Sequence, residues 1–249
     1  ALAFGGETPI TAVTESWSGS AWTEVNDLNT ARASISGGGA DNTAVIGFGG
    51  ETPGSTAQAL TELWNGSSWT ETNDLNTARD EGGSGTAGDN TAALFFGGRN
   101  ASDAKVAITE LWNGTSWSEQ NDLPTANFEN AGSGTTTSAL NFGGAIDPST
   151  TLTGGTQEWT LNAPVGAWST GGSLNTARQQ PGGTGVSSSA SLCFGGGTPS
   201  KTAVTESYDG TSWTEVNDLN LARNLLSSAG TYTAALASGG KDASGNTND

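Results

Sequence analysis

Few residue types in this 249-residue chain are suited to acid–base or nucleophilic chemistry. There is no His, there are two Tyr (Tyr208 and Tyr232) and one Cys (Cys193), and 25 carboxylates stand against 8 basic residues. The lack of His removes the commonest general base, the usual zinc ligand and every Ser-His-Asp or Cys-His arrangement. Cys193 lies inside an apolar run, so we expect a buried side chain rather than a nucleophile. We predict no catalytic residue, no metal site and no cofactor.

The carboxylates recur at fixed places along the chain. One set repeats in a turn and another lies two residues after a Trp: Asp27, Asp74, Asp122 and Asp218, and Glu24, Glu71, Glu119 and Glu215. An Asp side chain can accept backbone N–H bonds and close such a turn, whereas the Asp-x-Asp-x-Asp ladder of a calcium loop is missing. The Glu set is typical of a solvated strand edge. The number of carboxylates still leaves a glycosidase pair open as an alternative.

Charge and hydropathy narrow the classes of partner. The net charge of −17 disfavours binding to phosphate backbones and to anionic lipid headgroups. No apolar run approaches the roughly 20 residues that span a bilayer. We therefore predict no nucleic-acid partner and no membrane insertion. A single Cys also forbids an intrachain disulfide, which fits a reducing compartment or a virion.

The elements that position these residues come from an internal repeat. Five pairs of aromatic residues recur, and the second members are 45 to 51 residues apart: Trp17/Trp22, Trp64/Trp69, Trp112/Trp117, Trp159/Trp168 and Tyr208/Trp213. A period in the high forties is too long for a pair of helices and suits a blade of four β-strands. The Trp side chains are expected in the core between blades.

The unit from Arg32 to Arg79 predicts four strands. The inner strand is rich in Gly and other small residues, the second is apolar on both faces, the third ends in Trp and the fourth is the outer strand. Their ranges are 33–40, 43–48, 59–64 and 68–72. A glycine pair ends the second strand of each unit, where it allows a turn without a Cβ penalty. Six such pairs occur: Gly5-Gly6, Gly49-Gly50, Gly97-Gly98, Gly143-Gly144, Gly195-Gly196 and Gly239-Gly240.

The repeat unit resembles the Kelch repeat in four features. These are the double glycine, an acid two residues before the strand-three aromatic, the strand-four Trp and the Arg that follows it. The amino-acid sequence of the copies, such as Trp-Asn-Gly-Ser-Ser-Trp-Thr-Glu, is also similar to that of Kelch-like arrays predicted in marine bacteriophages. The resemblance implies an all-β, five-bladed β-propeller of four-stranded antiparallel blades. The expected blade units are 1–32 plus 223–240, 33–79, 80–127, 128–178 and 179–222, with the C-terminal strand joining the N-terminal blade.

An Arg that follows strand four is matched in the next strand three by a Glu. The matches are Arg32 with Glu62, Arg79 with Glu110 and Arg178 with Glu206, whereas Asn127 is matched with Gln157. Because a buried charge without its partner costs about 3–5 kcal/mol, the two members should be lost together. We predict three buried ion pairs and one neutral pair. The same rule assigns Arg223 to Glu15, which requires the ring to close.

One observation conflicts with simple closure. Residues 1–6 and 234–240 both have the sequence of strand two, yet the first blade has room for one of them. The absence of Met and the strand-like start lead us to expect a piece of a longer polypeptide. The sequence leaves open which copy completes the blade.

The loops after the glycine pairs carry the most individual sequence, and they should lie on one face of the disc. We predict that ligand or partner contacts come from these loops: Glu51, Pro53, Arg99, Asn100, Asp103, Lys105, Asp147 and Lys201.

Three hypotheses for function remain open. The first is a non-enzymatic module of a phage virion (tail, fibre or capsid) that contacts a host-surface protein or glycan or another virion protein, in a virion or extracellular setting. The second is a cytoplasmic Kelch-type protein-interaction scaffold. The third is a glycosidase- or sialidase-like enzyme, which requires carboxylates clustered in the axial depression. The oligomeric state is left open.

Overall fold

The computed structural model describes residues 1–86, 90–146, 151–162 and 165–246. Every regular element in these ranges is a β-strand, and the predicted all-β propeller with five antiparallel blades is confirmed. Four blades have four strands and the first has three. In the described residues no helix is long and apolar enough to cross a membrane.

Each blade runs from the axis outwards in chain order. Blade one contains β1 (Leu2–Phe4), β2 (Thr14–Trp17) and β3 (Trp22–Val25). Blade two contains β4 (Ser36–Asp41), β5 (Ala44–Phe48), the loop hairpin β6 (Glu51–Thr52) and β7 (Thr56–Ala57), then β8 (Thr61–Trp64) and β9 (Trp69–Glu71). Blade three contains β10 (Arg79–Asp80), β11 (Gly83–Gly85), β12 (Ala93–Phe96), β13 (Arg99–Asn100), β14 (Thr109–Trp112) and β15 (Trp117–Glu119), with β10 paired to β13.

The remaining strands complete the disc. Blade four contains β16 (Ala131–Gly134), β17 (Ser138–Phe142), β18 (Thr156–Asn162) and β19 (Val165–Gly171). Blade five contains β20 (Gly182–Ser187), β21 (Ala190–Phe194), β22 (Thr205–Tyr208) and β23 (Trp213–Glu215). β24 (Ser227–Thr231) and β25 (Ala234–Ser238) form a separate two-stranded sheet, the terminal hairpin, followed by β26 (Lys241–Asp242) and β27 (Gly245–Asn246).

The second strand of each complete blade lies between two buried layers. Ile46 and Phe48 of β5 are fully buried, as are all four residues of β12. The glycine pair that follows is required by its surroundings. Gly49 has a φ of +66°, and a Cβ there would lie 2.7 Å from the carbonyl oxygen of Arg79. Only glycine fits this approach of two chains without strain.

The Trp side chains join one blade to the next, and six of the nine are buried as predicted, whereas Trp17, Trp22 and Trp168 are half-buried. Trp64, Trp112 and Trp159 are at most 1% exposed. The strand-four indole N–H of each blade from two to five donates to a strand-three Thr hydroxyl of the preceding blade at 2.9–3.0 Å: Trp69 to Thr14, Trp117 to Thr61, Trp168 to Thr109 and Trp213 to Thr156. We refer to this series as the indole–hydroxyl chain.

The structure forms three of the expected Arg–Glu pairs inside the blades. Their N–O distances are 2.8 Å for Arg32–Glu62, 3.1 Å for Arg79–Glu110 and 2.7 Å for Arg178–Glu206, with all six side chains at most 1% exposed. The second carboxylate oxygen of each Glu accepts from the backbone N–H and the side-chain amide of a turn Asn: Asn29, Asn76 and Asn175 respectively. Each buried carboxylate is thus fully hydrogen-bonded.

Blade four replaces the ion pair by a neutral network rather than by a single pair. Asn141 lies between the two expected partners, since its amide donates to Gln157 at 2.8 Å and to Asn127 at 3.3 Å. The Asn127 amide also donates to the carbonyl of Gly143, as the Arg32 guanidinium does to Gly49 in blade two. Asn141 thus supplies the link that the sequence prediction left out.

The structure corrects the predicted joining of the C-terminal strand to blade one. The inner edge of β2 is occupied by β1, from the Leu2–Ser16 pair to the Phe4–Thr14 pair. An edge accepts one strand, so β25 pairs with β24 instead, and units 1–32 and 223–240 are not one sheet. The Arg223 guanidinium donates to the Gly239 carbonyl, and in the described residues it is not paired with Glu15, which is exposed on β2. The two ends meet through an ion pair between Lys241 and Glu7 at 2.7 Å.

Candidate functional site

The loops that follow the glycine pairs approach the start of the inner strands. The first residue of each loop pairs, backbone to backbone, with a residue just before the inner strand of the same unit: Glu51 with Ala33, Arg99 with Asp80, Ala145 with Phe128, Gly197 with Gln179 and Lys241 with Asn224. The predicted loop face therefore includes the segment that leads into each inner strand.

The next residue in each of these segments has a left-handed backbone, although it is not glycine. These five residues, which we call the mouth ring, are Ser34, Glu81, Glu129, Gln180 and Leu225, with φ between +50° and +55°. Backbone bonds join four of them from blade to blade: Glu129 N–H to the Glu81 carbonyl at 2.9 Å, Gln180 to Glu129 at 2.7 Å and Leu225 to Gln180 at 3.1 Å. A left-handed non-glycine residue costs roughly 1 kcal/mol, so five in equivalent places are maintained by their surroundings.

The mouth ring surrounds an open axial cavity of about 650 Å³, which we call the axial mouth. The blade-one loop Gly5–Pro9 and Lys241 contribute to its wall. Deeper along the axis lies a second cavity of about 580 Å³, lined largely by the Gly- and Ser-rich inner strands. Side chains at the mouth are therefore the ones that a ligand entering from the loop face meets first.

One arginine holds two carboxylates of blade three beside the mouth. The Arg99 guanidinium lies 2.8 Å from Glu81 and 3.5 Å from Asp80, and it stacks on the Phe128 ring at 5.5 Å. Its contact with Asp103 is long, at 3.9 Å, and that carboxylate is 83% exposed. The side chains of Asp80 and Glu81 are only 5% and 17% exposed. The buried part of the cluster thus carries two acids and one base.

Burial sets the protonation of this cluster. It raises the pKa of Glu81 to about 8 and that of Asp80 to about 6, and Arg99 opposes both shifts. The pKa of Glu129 is raised as well, again chiefly by burial. A single guanidinium cannot neutralise two desolvated carboxylates, so the cluster retains a proton near neutral pH.

Amide side chains extend the polar lining to the next blades. The Gln180 amide donates to Glu129 at 2.7 Å and accepts from the Asn224 amide at 2.6 Å. Buried side-chain oxygens of Glu81, Gln179 and Asn224 have no hydrogen-bond partner. At the cavity surface, Glu81, Glu129 and Gln180 present carboxyl and amide groups, which fit a ligand that forms several hydrogen bonds.

The other predicted loop residues lie further from the axis. Asn100 closes its own loop by accepting from the Ser102 and Ala104 N–H groups, and Pro53 is exposed in a turn. The backbone of Lys105 forms an antiparallel β-bridge with that of Arg99 at the base of the loop. Lys201 donates to the carbonyl of Asp242. Asp147 lies outside the described residues.

The sequence prediction therefore located the loop face but missed most of the mouth. Of its residues, Glu51 and Arg99 lie beside the mouth ring, whereas Glu81, Glu129 and Gln180 were not singled out. A signal was present: the two residues after each repeated Arg or Asn differ in every unit, as Ala-Ser, Asp-Glu, Phe-Glu, Gln-Gln and Asn-Leu. These two positions vary although the residues just before them, which end in Arg or Asn, are nearly the same in every unit.

Of the other residues suited to chemistry, Cys193 and Tyr208 are buried and Tyr232 is exposed. Cys193 is fully buried in β21, and burial raises the pKa of its thiol to about 11, so no thiolate forms near neutral pH. Burial and a hydrogen bond to Glu158 raise the pKa of Tyr208 to about 12. Among the described residues, no three His, Cys, Asp or Glu side chains are grouped as metal ligands would be.

Comparison with known proteins defines the fold and nothing finer. No protein-family model and no curated protein sequence matches the chain. A solved structure described as that of YjhT aligns with a TM-score of 0.81 over 96% of this chain and 87% of that one, at 13% sequence identity. At this identity the likeness shows a shared propeller fold.

Proposed function

We propose that this chain is a non-enzymatic binding module whose ligand enters the axial mouth from the loop face. The observation that supports this most strongly is the mouth ring. Blades two to five and the terminal hairpin each present one residue at the same backbone position round an open cavity, and among these five residues only Glu occurs twice. Variable side chains on a uniform scaffold, converging on a cavity, are the usual arrangement of a binding site.

The lining indicates the chemistry of the ligand. Glu81, Glu129 and Gln180 bring carboxyl and amide groups to the mouth. The net charge of −17 disfavours an anionic ligand. A glycan or a polar protein segment that donates several hydrogen bonds fits this lining best.

We infer the biological setting from the resemblance of the repeats to Kelch-like arrays predicted in marine bacteriophages. On that basis the module belongs to a virion tail, fibre or capsid, and its ligand is a host-surface glycan or protein or another virion protein. Immunogold labelling of purified particles with an antibody against the chain tests this setting. Particles without label would contradict it.

A glycan array tests the binding function directly. We expect the chain to bind a restricted set of glycans, and the double variant Glu129→Ala/Gln180→Ala to lose at least tenfold in affinity, since it removes a hydrogen-bonded pair at the mouth. The matched control is Glu119→Ala/Glu215→Ala, which removes two exposed outer-strand carboxylates. Glycan binding that survives the mouth variant would locate the site elsewhere.

A glycosidase-like enzyme is the second candidate, and one observation favours it. Glu81 has the raised pKa of a general acid and lies beside Asp80 and near the axial mouth. A panel of chromogenic aryl glycosides measures this activity. If the wild-type chain hydrolyses a glycoside and Glu81→Gln does not, the protein is an enzyme and the binding proposal is wrong. If the chain binds glycans but hydrolyses none of the substrates, the enzyme hypothesis is wrong.

A further inference from the structure

The carboxylates that line the axial mouth already have donors within the protein. Each lies 2.7–2.8 Å from a donor nitrogen: Glu81 from Arg99, Glu129 from Gln180 and Glu7 from Lys241. Such an arrangement differs from an open acidic site, in which carboxylates wait for a cation from outside. A ligand therefore does not need to carry a positive charge in order to enter the mouth.

Glu81 depends on the water of the mouth for its remaining solvation. Its side chain is only 17% exposed, and one of its carboxyl oxygens is buried without a hydrogen-bond partner. Because Glu81 lines the cavity, a ligand that fills the mouth displaces the water beside it. Removing water from a carboxyl group disfavours its charged form. Occupation of the mouth and ionisation of Glu81 therefore oppose each other.

The charged groups around Glu81 are mostly acids and come from three blades: Glu51 in blade two, Asp80, Arg99 and Asp103 in blade three, and Glu129 in blade four. Burial raises the pKa of Glu81 to about 8, while Arg99 opposes this rise and neighbouring acids reinforce it. The free protein therefore holds this proton at pH 7 and has lost most of it at pH 9.

We propose that the axial mouth takes an uncharged, hydroxyl-rich ligand such as a neutral oligosaccharide, and that its binding requires a proton on Glu81. This inference rests on the binding function proposed above and adds to it the charge of the ligand and a control by pH. A neutral ligand brings no cation in exchange for the water that it displaces, so only the protonated carboxyl is compatible with a filled mouth. The protonated group can also donate a hydrogen bond, which the carboxylate cannot.

Charged ligands behave differently at such a site. An ammonium group beside Glu81 would favour the carboxylate, so the affinity of a cationic ligand would rise with pH and its binding would release a proton. An anionic ligand meets a protein with a net charge of −17. The sign of the proton exchange on binding therefore separates an uncharged ligand from a cationic one.

A glycan array read at pH 6, pH 7 and pH 9 tests the proposal, with uncharged oligosaccharides, sialylated and sulfated ones, and amino sugars with free amines. We expect the bound glycans to be uncharged. Their affinity, measured by calorimetry, should be about tenfold weaker at pH 9 than at pH 7, because roughly one tenth of the protein retains the proton at pH 9. Titrations at pH 9 in two buffers with different heats of ionisation should show uptake of about one proton per ligand.

Two variants should move the pH dependence in opposite directions. Arg99→Gln removes the cation, so the pKa of Glu81 rises further and the loss of affinity begins at a higher pH, whereas Asp80→Asn removes an acid, and the loss begins at a lower pH. Among the described residues, neither of these two lines the mouth, so both act through Glu81. A merely structural role would not produce shifts of opposite sign.

Glu81→Gln should abolish the pH dependence, and Glu119→Gln, which changes an exposed acid of an outer strand, should keep it. Equal affinity at pH 7 and pH 9, proton release on binding, shifts of the Arg99 and Asp80 variants in one direction, or binding confined to charged glycans would overturn the inference. In each of these cases a glycan is still bound, so the proposed binding function stands. If no glycan binds at any pH, the inference and the glycan-binding function both fail.

Discussion

At the scale of single residues, buried polar groups in this protein change in sets. Blade four lacks the Arg, the Glu and the turn Asn together: Asn127, Gln157 and Pro124 occupy their positions. Pro124 has no N–H to donate, and with no carboxylate present none is needed. The sequence predicted the linked loss of charge because an unpaired buried ion is costly. It did not predict Asn141, because that residue is recognised only once strand two is seen to lie between the partners.

Removing one member of a buried pair should be far more harmful than removing a surface acid. We expect Glu62→Ala to lower the free energy of unfolding by about 3–5 kcal/mol, since the guanidinium of Arg32 remains buried without its carboxylate. Glu71→Ala, an exposed acid of the same blade, should change it by less than about 0.5 kcal/mol. Urea unfolding followed by Trp fluorescence gives both values. Equal losses would contradict the role of the pair.

The raised pKa of Glu81 should make stability depend on pH. The folded protein holds this proton more tightly than the unfolded chain, so its contribution to stability is complete below the unfolded value of 4.5 and is lost as pH rises towards about 8. We expect Glu81→Gln to flatten the decline of Tm between pH 5 and pH 8. The exposed Glu119→Gln is the control and should retain the wild-type slope. If Tm of Glu81→Gln falls with pH as steeply as that of the wild type, a group other than Glu81 causes the pH dependence.

At the scale of strands, the repeat pattern predicted the four main strands of blade two to within a few residues, but not the loop hairpin of β6 and β7. The predicted inner strand, residues 33–40, begins three residues early, because 33–35 instead lead into the mouth ring. Apolar alternation and glycine pairs mark strands well, whereas a left-handed residue outside glycine leaves little trace in one sequence. For this reason the loop face was predicted and the mouth ring was not.

The indole–hydroxyl chain should couple neighbouring blades. We expect Trp117→Phe and Thr61→Val each to lower the free energy of unfolding by about 1 kcal/mol through the lost hydrogen bond, beyond any change in packing. The double variant should lose less than the sum, by about the same amount. Urea titrations of the four proteins measure this cycle. Strict additivity would mean that the contact does not couple the blades.

At the scale of the whole molecule, stability should fall from the middle of the disc to its open side. β17 is covered on both faces, whereas β24 and β25 are mostly exposed. The ion pair between Lys241 and Glu7 is partly exposed and contributes little to holding the ends together. The terminal hairpin is therefore the part of the disc with the least packing.

Hydrogen exchange measures this gradient. We expect amides of β24 and β25 to exchange faster than those of β12 and β17, since local opening there exposes little additional apolar surface. Uniform protection across all sheets would contradict the gradient.

The sequence by itself determined the blade, its four strands, the buried Trp side chains and the pairing of Arg with Glu. These follow from local spacing and from the cost of burying polar groups, which act within one repeat or between neighbours. Only the tertiary structure decided how the ends meet and where the axial mouth lies. β1 and β25 are nearly equivalent as sequence, and β1 holds the edge of β2 because it is adjacent in the chain. The mouth ring forms because several blades converge on one axis, a condition that no single repeat contains.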